Sequence, residues 1–227
     1  MIKKVVIGAV ALAVLGLAAV FIYAEIEDDN APEELSLDDR DASGSTVPEP
    51  ATLDGTWSVG EGSQVGYRVV EDFIGGLANA EAVGRTSEVA GTMQISGTTV
   101  TASEFVAQMA SMKSDRAQRD GQFQGRIMDV ASHPTATFEL TEPIQLDAIP
   151  EEGVEVTVPA TGDLTLRGTT RPVAVDLRAR RDGGEIAVNG SIPVVFADYG
   201  IPNPSNAFVS TRDNGQLELL LVFRKQA

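Results

Sequence analysis

From Gly55 onward, apolar and polar positions alternate with a period of two. In SQVGYRVVEDF (63–73), Val65, Tyr67 and Val69 share one face, and SEVAGTMQIS (87–96) repeats the pattern with Val89, Met93 and Ile95. TVTASEFVAQM (99–109) continues in the same style. TATFEL groups Ala136, Phe138 and Leu140, TGDLTLRG pairs Leu164 with Leu166, and RPVAVDLRA aligns Val173, Val175 and Leu177. GEIAVNGSIPVVF and QLELLLVFR complete the set. Such alternation, bounded by Gly, Asn, Asp and Pro clusters, marks half-buried strands; it predicts roughly eight to ten of them. Turns such as ISGTTV and RRDGGE suit hairpins, so the arrangement is an antiparallel meander or barrel rather than a βαβ fold.

One stretch reads as helical. In SDRAQRDGQFQGRIMDV (114–130), Phe123, Ile127 and Val130 recur at i, i+4 and i+7, while Gly121 and Gly125 limit the helix to one or two turns.

Upstream of Gly55 the pattern changes twice. Lys3 and Lys4 precede an uncharged apolar run from Val5 to Ala24, long enough as a helix to span a hydrocarbon core of about 30 Å. Its end, Ile22-Tyr23-Ala24, fits the small-residue cleavage site of a signal peptide poorly, so residues 1–24 read as a transmembrane anchor rather than a cleaved leader. Lysines before the run and EIEDD after it place the C-terminal bulk outside the cytoplasm. If the segment is cleaved, the domain is secreted. Residues 25–54 carry eleven acidic residues, one arginine and three prolines, the composition of a disordered acidic linker. The chain thus divides into an anchor (1–24), a linker (25–54) and a β domain (55–227).

The formal net charge of −16 argues against a nucleic-acid partner, which requires a basic stripe. Cysteine is absent and histidine occurs once, so thiolate and multi-histidine metal sites are excluded and no metal is expected. No nucleotide-binding glycine loop and no nucleophile elbow occurs. His133, before a proline, reads as a surface or capping residue. With no nucleophile–base pair in view, a hydrolase or isomerase is disfavoured and the chain reads as a non-enzyme.

The densest charge in the domain is SDRAQRDGQF (114–123). Arg119 and Asp120 read as a structural pair bracing a loop at a barrel rim, with an active-site pair and an acid-headgroup clamp as the rivals. Arg167 falls on the opposite strand face from Leu164 and Leu166, hence outward or at a rim.

At this level of detail the chain resembles the YceI-like family. SMKSDRAQRDGQFQGRIMDVASHPTATFEL is similar to that family's hallmark segment, TGDLTLRGTTRPVAVDL to its second signature, FADYGI to its third, and TWSVGEGSQVGYRV to its first strands. The resemblance runs in order over residues 55–225. It implies an all-β, extended lipocalin-like antiparallel barrel with a short helical segment, enclosing a long isoprenoid or similar lipid. No cofactor beyond such a lipid is implied, and its family members are commonly exported. The expected interior face carries Val65, Tyr67, Val69, Phe138, Leu164, Leu166, Val175 and Leu177. An eight-stranded barrel is about wide enough for one slender ligand, and each buried methylene contributes about 0.8 kcal/mol. The expected function is lipid carriage or storage at the outer side of the cytoplasmic membrane. The alternative is a cell-envelope interaction module whose barrel is filled by its own side chains.

Overall fold

Residue composition at the strand junctions decides how the barrel closes. The computed structural model describes residues 19, 20, 22, 25, 31–39, 50–73, 78–205 and 209–226. The strands are β1 (Gly55–Val59), β2 (Gln64–Phe73), β3 (Ala78–Thr86), β4 (Val89–Ser96), β5 (Thr99–Gln108) and β6 (Lys113–Ser114). After α1 (Ala117–Gln122) come β7 (Thr135–Leu140), β8 (Ile144–Gln145), β9 (Val156–Leu166) and β10 (Thr169–Asp182). The last are β11 (Glu185–Val195), β12 (Val209–Thr211) and β13 (Asn214–Lys225).

β1 and β2 behave as one bent strand, as do β3 and β4. β1 pairs with β4 while β2 pairs with β3, both antiparallel. The break at Gly60–Ser63 is repaired by a side chain: Ser63 Oγ donates to the Gly60 carbonyl at 2.8 Å and accepts from Val222 N–H at 2.9 Å. At the second bend, Gln108 N–H donates to the Glu88 carbonyl, so pairing with β5 continues through the kink. Counted this way, β1/β2, β3/β4, β5, β7, β9, β10, β11 and β13 follow one another around a closed ring, each hydrogen-bonded to the next. β13 closes it by sharing its free edge between β1 and β2. Closure removes the exposed edges that an open sheet would present to other chains. The short strands β6, β8 and β12 add to the rims by pairing with β3, β5 and β2.

The β9–β10 hairpin shows how local sequence sets register. Leu166 pairs with Thr169 across a two-residue turn, and both turn residues, Arg167 and Gly168, have positive φ. A turn of that type matches strand twist, and it tolerates Arg167 in the left-handed region because Gly168 follows without strain.

The helical expectation over 114–130 holds in reduced form. α1 spans six residues and passes into a single π-helical turn, Phe123–Ile127, closed by Asp129 at φ 49. Phe123 and Val130 are buried and Ile127 packs against the same core.

The reading of 25–54 as a structureless linker is corrected for residues 31–39. That segment lies across the outer wall, with a one-turn 3-10 helix at Leu37–Asp39. Leu35 and Leu37 are buried against Ala187 of β11 and Leu220 of β13. Side chains of the wall capture its carbonyls: Arg68 takes Pro32, Arg85 takes Glu33, Asn189 takes Leu35 and Arg180 takes Leu37. Beneath it Arg68, itself buried, ion-pairs with Glu218 and Glu81. Composition hid this because the acidic residues stay exposed, Asp38 reaching Arg180 among them, while two alternating leucines do the packing. The rest of the linker is largely undescribed, and the predicted anchor falls almost entirely outside the described residues. Among those described, no helix is long and apolar enough to cross a membrane.

Candidate ligand-binding interior

Alternation sends every second side chain of a closed barrel inward. The eight residues expected on the inner face, Val65, Tyr67, Val69, Phe138, Leu164, Leu166, Val175 and Leu177, all line the interior. That interior holds two chambers of about 120 and 160 Å³. Each far exceeds the roughly 10–15 Å³ that one water needs on this measure, so the barrel is not filled by its own side chains.

The first chamber takes in Phe138, Val175 and Leu177, with Leu219, Leu221 and Phe223 of β13, and opens beside Ile149 and Pro150. The second takes in Val65, Tyr67, Val69, Leu164 and Leu166 and is roofed by Phe123 and Ile127 of the helical segment. Phe105 lines both, stacked on Phe138 with ring centroids 5.2 Å apart. The two rings therefore form the waist between chambers lying end to end.

Room for those rings comes from glycine. A Cβ at Gly162 would overlap the Phe138 ring and the Glu139 carbonyl, and one at Gly84 would overlap the Tyr67 ring. Strand positions without side chains let aromatic rings lie flat against the wall.

Methionines supply further lining, of which alternation singled out only Met93. Met93 faces the first chamber, and Met109, Met112 and Met128 the second. Their unbranched, polarizable chains conform to irregular apolar space. Met109 and Met112 sit in a short 3-10 turn and its cap, where a period of two carries no signal.

The charged residues lining the second chamber are Glu71 and Arg119. Arg119 lies 3.7 Å from Glu71 and also pairs with Asp115. Burial raises the Glu71 carboxyl above the ordinary range, with Arg119 opposing the shift. Burial likewise pushes the Tyr67 phenol up to about 12, again against Arg119. The Tyr67 ring stacks on Phe123 at 5.0 Å.

The expected Arg119–Asp120 brace is corrected. Adjacent helical residues do not face each other. Arg119 turns to Glu71 and Asp115, on the chamber wall, while Asp120 turns to the preceding loop. Asp120 accepts from Ser114 N–H at 2.8 Å and from Ser114 Oγ at 2.7 Å, with Lys113 Nζ at 3.7 Å. The loop is braced by both residues, Asp120 through Ser114 and Arg119 through Asp115, with no direct pair between them called for. Arg167 sits at the rim as expected, donating to the Gly200 carbonyl. His133 lies behind Gly168, away from both chambers. Among the described residues no cluster of His, Asp or Glu is arranged to hold a metal.

The class is thus an all-β, eight-stranded closed antiparallel barrel with a short helix and an apolar interior. More narrowly, this chain belongs to the YceI-like family, whose domain model matches residues 59–223. A UPF0312 protein of Pseudomonas savastanoi pv. phaseolicola is 31% identical over 102 residues, 42% of this chain and 50% of that protein. The chain thus spans about half the length of the curated relatives it matches. A polyisoprenoid binding domain from Saccharophagus degradans, implicated in plant cell wall breakdown, shares the fold at TM-score 0.59 and 15% identity, over 75% of this chain and 98% of that domain. BcnA of Burkholderia cenocepacia does so at TM-score 0.54 and 19% identity, over 70% and 95%.

Proposed function

We propose that this protein binds one lipid of the long-chain isoprenoid class in its barrel and serves as a carrier or store, without transforming it. The observation that carries the reading is the pair of apolar chambers joined at Phe105. Two apolar chambers that share Phe105 suit a chain rather than a compact molecule, and chain burial supplies affinity at about 0.8 kcal/mol per methylene. The polyisoprenoid binding domain from Saccharophagus degradans, with the same fold, supports that ligand class. Arg119 is engaged by Glu71 and Asp115, so the second chamber offers no free pair of cations to an anionic head. The chambers count against a filled-barrel interaction module.

The same proposal places the barrel at the outer side of a membrane, anchored through residues 5–24. Twenty uncharged residues following Lys3 and Lys4 support this arrangement. Native mass spectrometry of the full chain purified from its own host's membranes tests both parts. The expected result is recovery in the membrane fraction with one isoprenoid-sized adduct per barrel. A ligand-free or fatty-acid-loaded barrel removes the isoprenoid reading, and recovery only as soluble, shortened chain removes the anchor.

A further inference from the structure

The strap at residues 31–39 does more than cover the wall. It runs from the α1 end of the barrel, where Arg68 holds Pro32, toward the opposite end, where Arg180 holds Leu37 and Asp38. Its first residues therefore sit at the α1 end: Ala31 and Pro32 lie beside Lys113, Ser114 and Asp115, and beside Asn79 and Arg212. Between Ala24, where the apolar N-terminal run stops, and Ala31 stand residues 25–30, which reach about 20 Å at full extension. Were all of 25–54 free, the reach would be about 100 Å. Val20, inside the apolar run, packs against the Phe73 and Ala80 cluster at this same end.

We propose that the strap is an orienting clasp, which holds the α1 end of the barrel against the bilayer so that a lipid chain enters and leaves the second chamber past its Phe123 and Ile127 roof. This rests on the membrane-anchored, lipid-binding reading above. The competing orientation has a basis too, since Ile149 and Val154 are exposed at the first chamber's mouth.

The absence of cysteine makes the test direct. A fluorophore is placed on Ser210→Cys at the α1 end, or on Glu151→Cys at the other, in the full chain reconstituted into phosphatidylethanolamine–phosphatidylglycerol vesicles carrying a nitroxide lipid. Quenching is expected at Ser210→Cys and not at Glu151→Cys. Inserting ~20 Gly/Ser residues after Asn30 frees the clasp from the anchor and is expected to erase the difference. The same insertion after Gly44, beyond the strap, is expected to preserve it. Both insertions leave the strap contacts in place, so neither depends on a damaged barrel. Equal quenching at the two sites, the reverse order, or persistence after the Asn30 insertion overturns the clasp while leaving the anchor standing. A chain that fails to float with the vesicles overturns the anchor and the clasp together.

Discussion

Phe105 of β5 and Phe138 of β7 stack across the barrel's waist, with ring centroids 5.2 Å apart and planes inclined by 18°. They are directly cross-strand neighbours in register, so the stack is fixed by the β5–β7 ladder. Phe105→Ala should cost about 3–5 kcal/mol, as is usual for deleting a buried phenylalanine. It should also merge the two chambers, shifting the bound lipid population toward longer chains. Urea unfolding reads the first effect and mass spectrometry of extracted lipid the second. A variant of unchanged stability would mean that the rings do not pack as described.

Asp120 and Arg119 hold adjacent residues of one loop through different partners, so their substitutions should couple. Asp120→Ala leaves the Ser114 N–H without its acceptor, a loss of about 1–3 kcal/mol. Arg119→Ala removes the guanidinium that opposes the burial shift at Glu71, raising that carboxyl further. The double variant should lose less than the sum of the single losses in urea unfolding, because either substitution alone already loosens the 114–115 stretch. A double variant losing the full sum would show that the two contacts hold the loop independently.

Tyr67 sets a limit on alkaline stability. Its folded pKa stands at about 12 against an ordinary 10.0, because the wall is apolar. A raised folded value means that the folded state holds the proton more tightly than the unfolded state. The contribution is fully present below about pH 10 and is lost as pH rises through about 12. Tyr67→Phe keeps the ring on Phe123 and removes the titration. Denaturation midpoints for the two proteins should coincide at neutral pH and separate above pH 10, with the wild type falling faster. Parallel curves through pH 12 would show that Tyr67 does not titrate in that window.

Which parts of this were legible beforehand follows from periodicity. The inner face was readable in β2, β7, β9 and β10 because their outer faces are polar enough to leave a period of two. It was not readable in β13, where Leu219, Leu220, Leu221, Val222 and Phe223 run on without a break. There Leu219, Leu221 and Phe223 face the chambers, while Leu220 faces out and is covered by Leu35 and Leu37. An unbroken apolar run is the trace of a strand covered on both sides. That trace, together with the alternation in Leu35-Ser36-Leu37, was the available signal for the strap. The carbonyl contacts made by Arg68, Arg85, Asn189 and Arg180 had none, since any residue offers a carbonyl. Arg119 and Asp120 were read as one structural pair, and the structure gives them different partners. Their apparent pairing came from adjacency in sequence, which on a helix separates side chains.

The residue that tests the interior most directly is Leu166, at the end of β9. It is buried, lines the second chamber, and pairs with Thr169 across the turn through Arg167 and Gly168. Leu166→Trp leaves every ladder hydrogen bond in place and adds a ring to the chamber. In a close-packed core the added volume would cost about 1–3 kcal/mol in strain. Here the neighbouring space is about 160 Å³, so the indole has somewhere to go. The melting temperature should therefore change little while co-purifying lipid falls sharply. Thermal melts and quantified lipid extracts from the same preparations separate the two readings. Full lipid content would place the ligand away from the second chamber. Loss of folding would mean that the chamber closes around its own side chains in solution, and the lipid-binding proposal would fall with it.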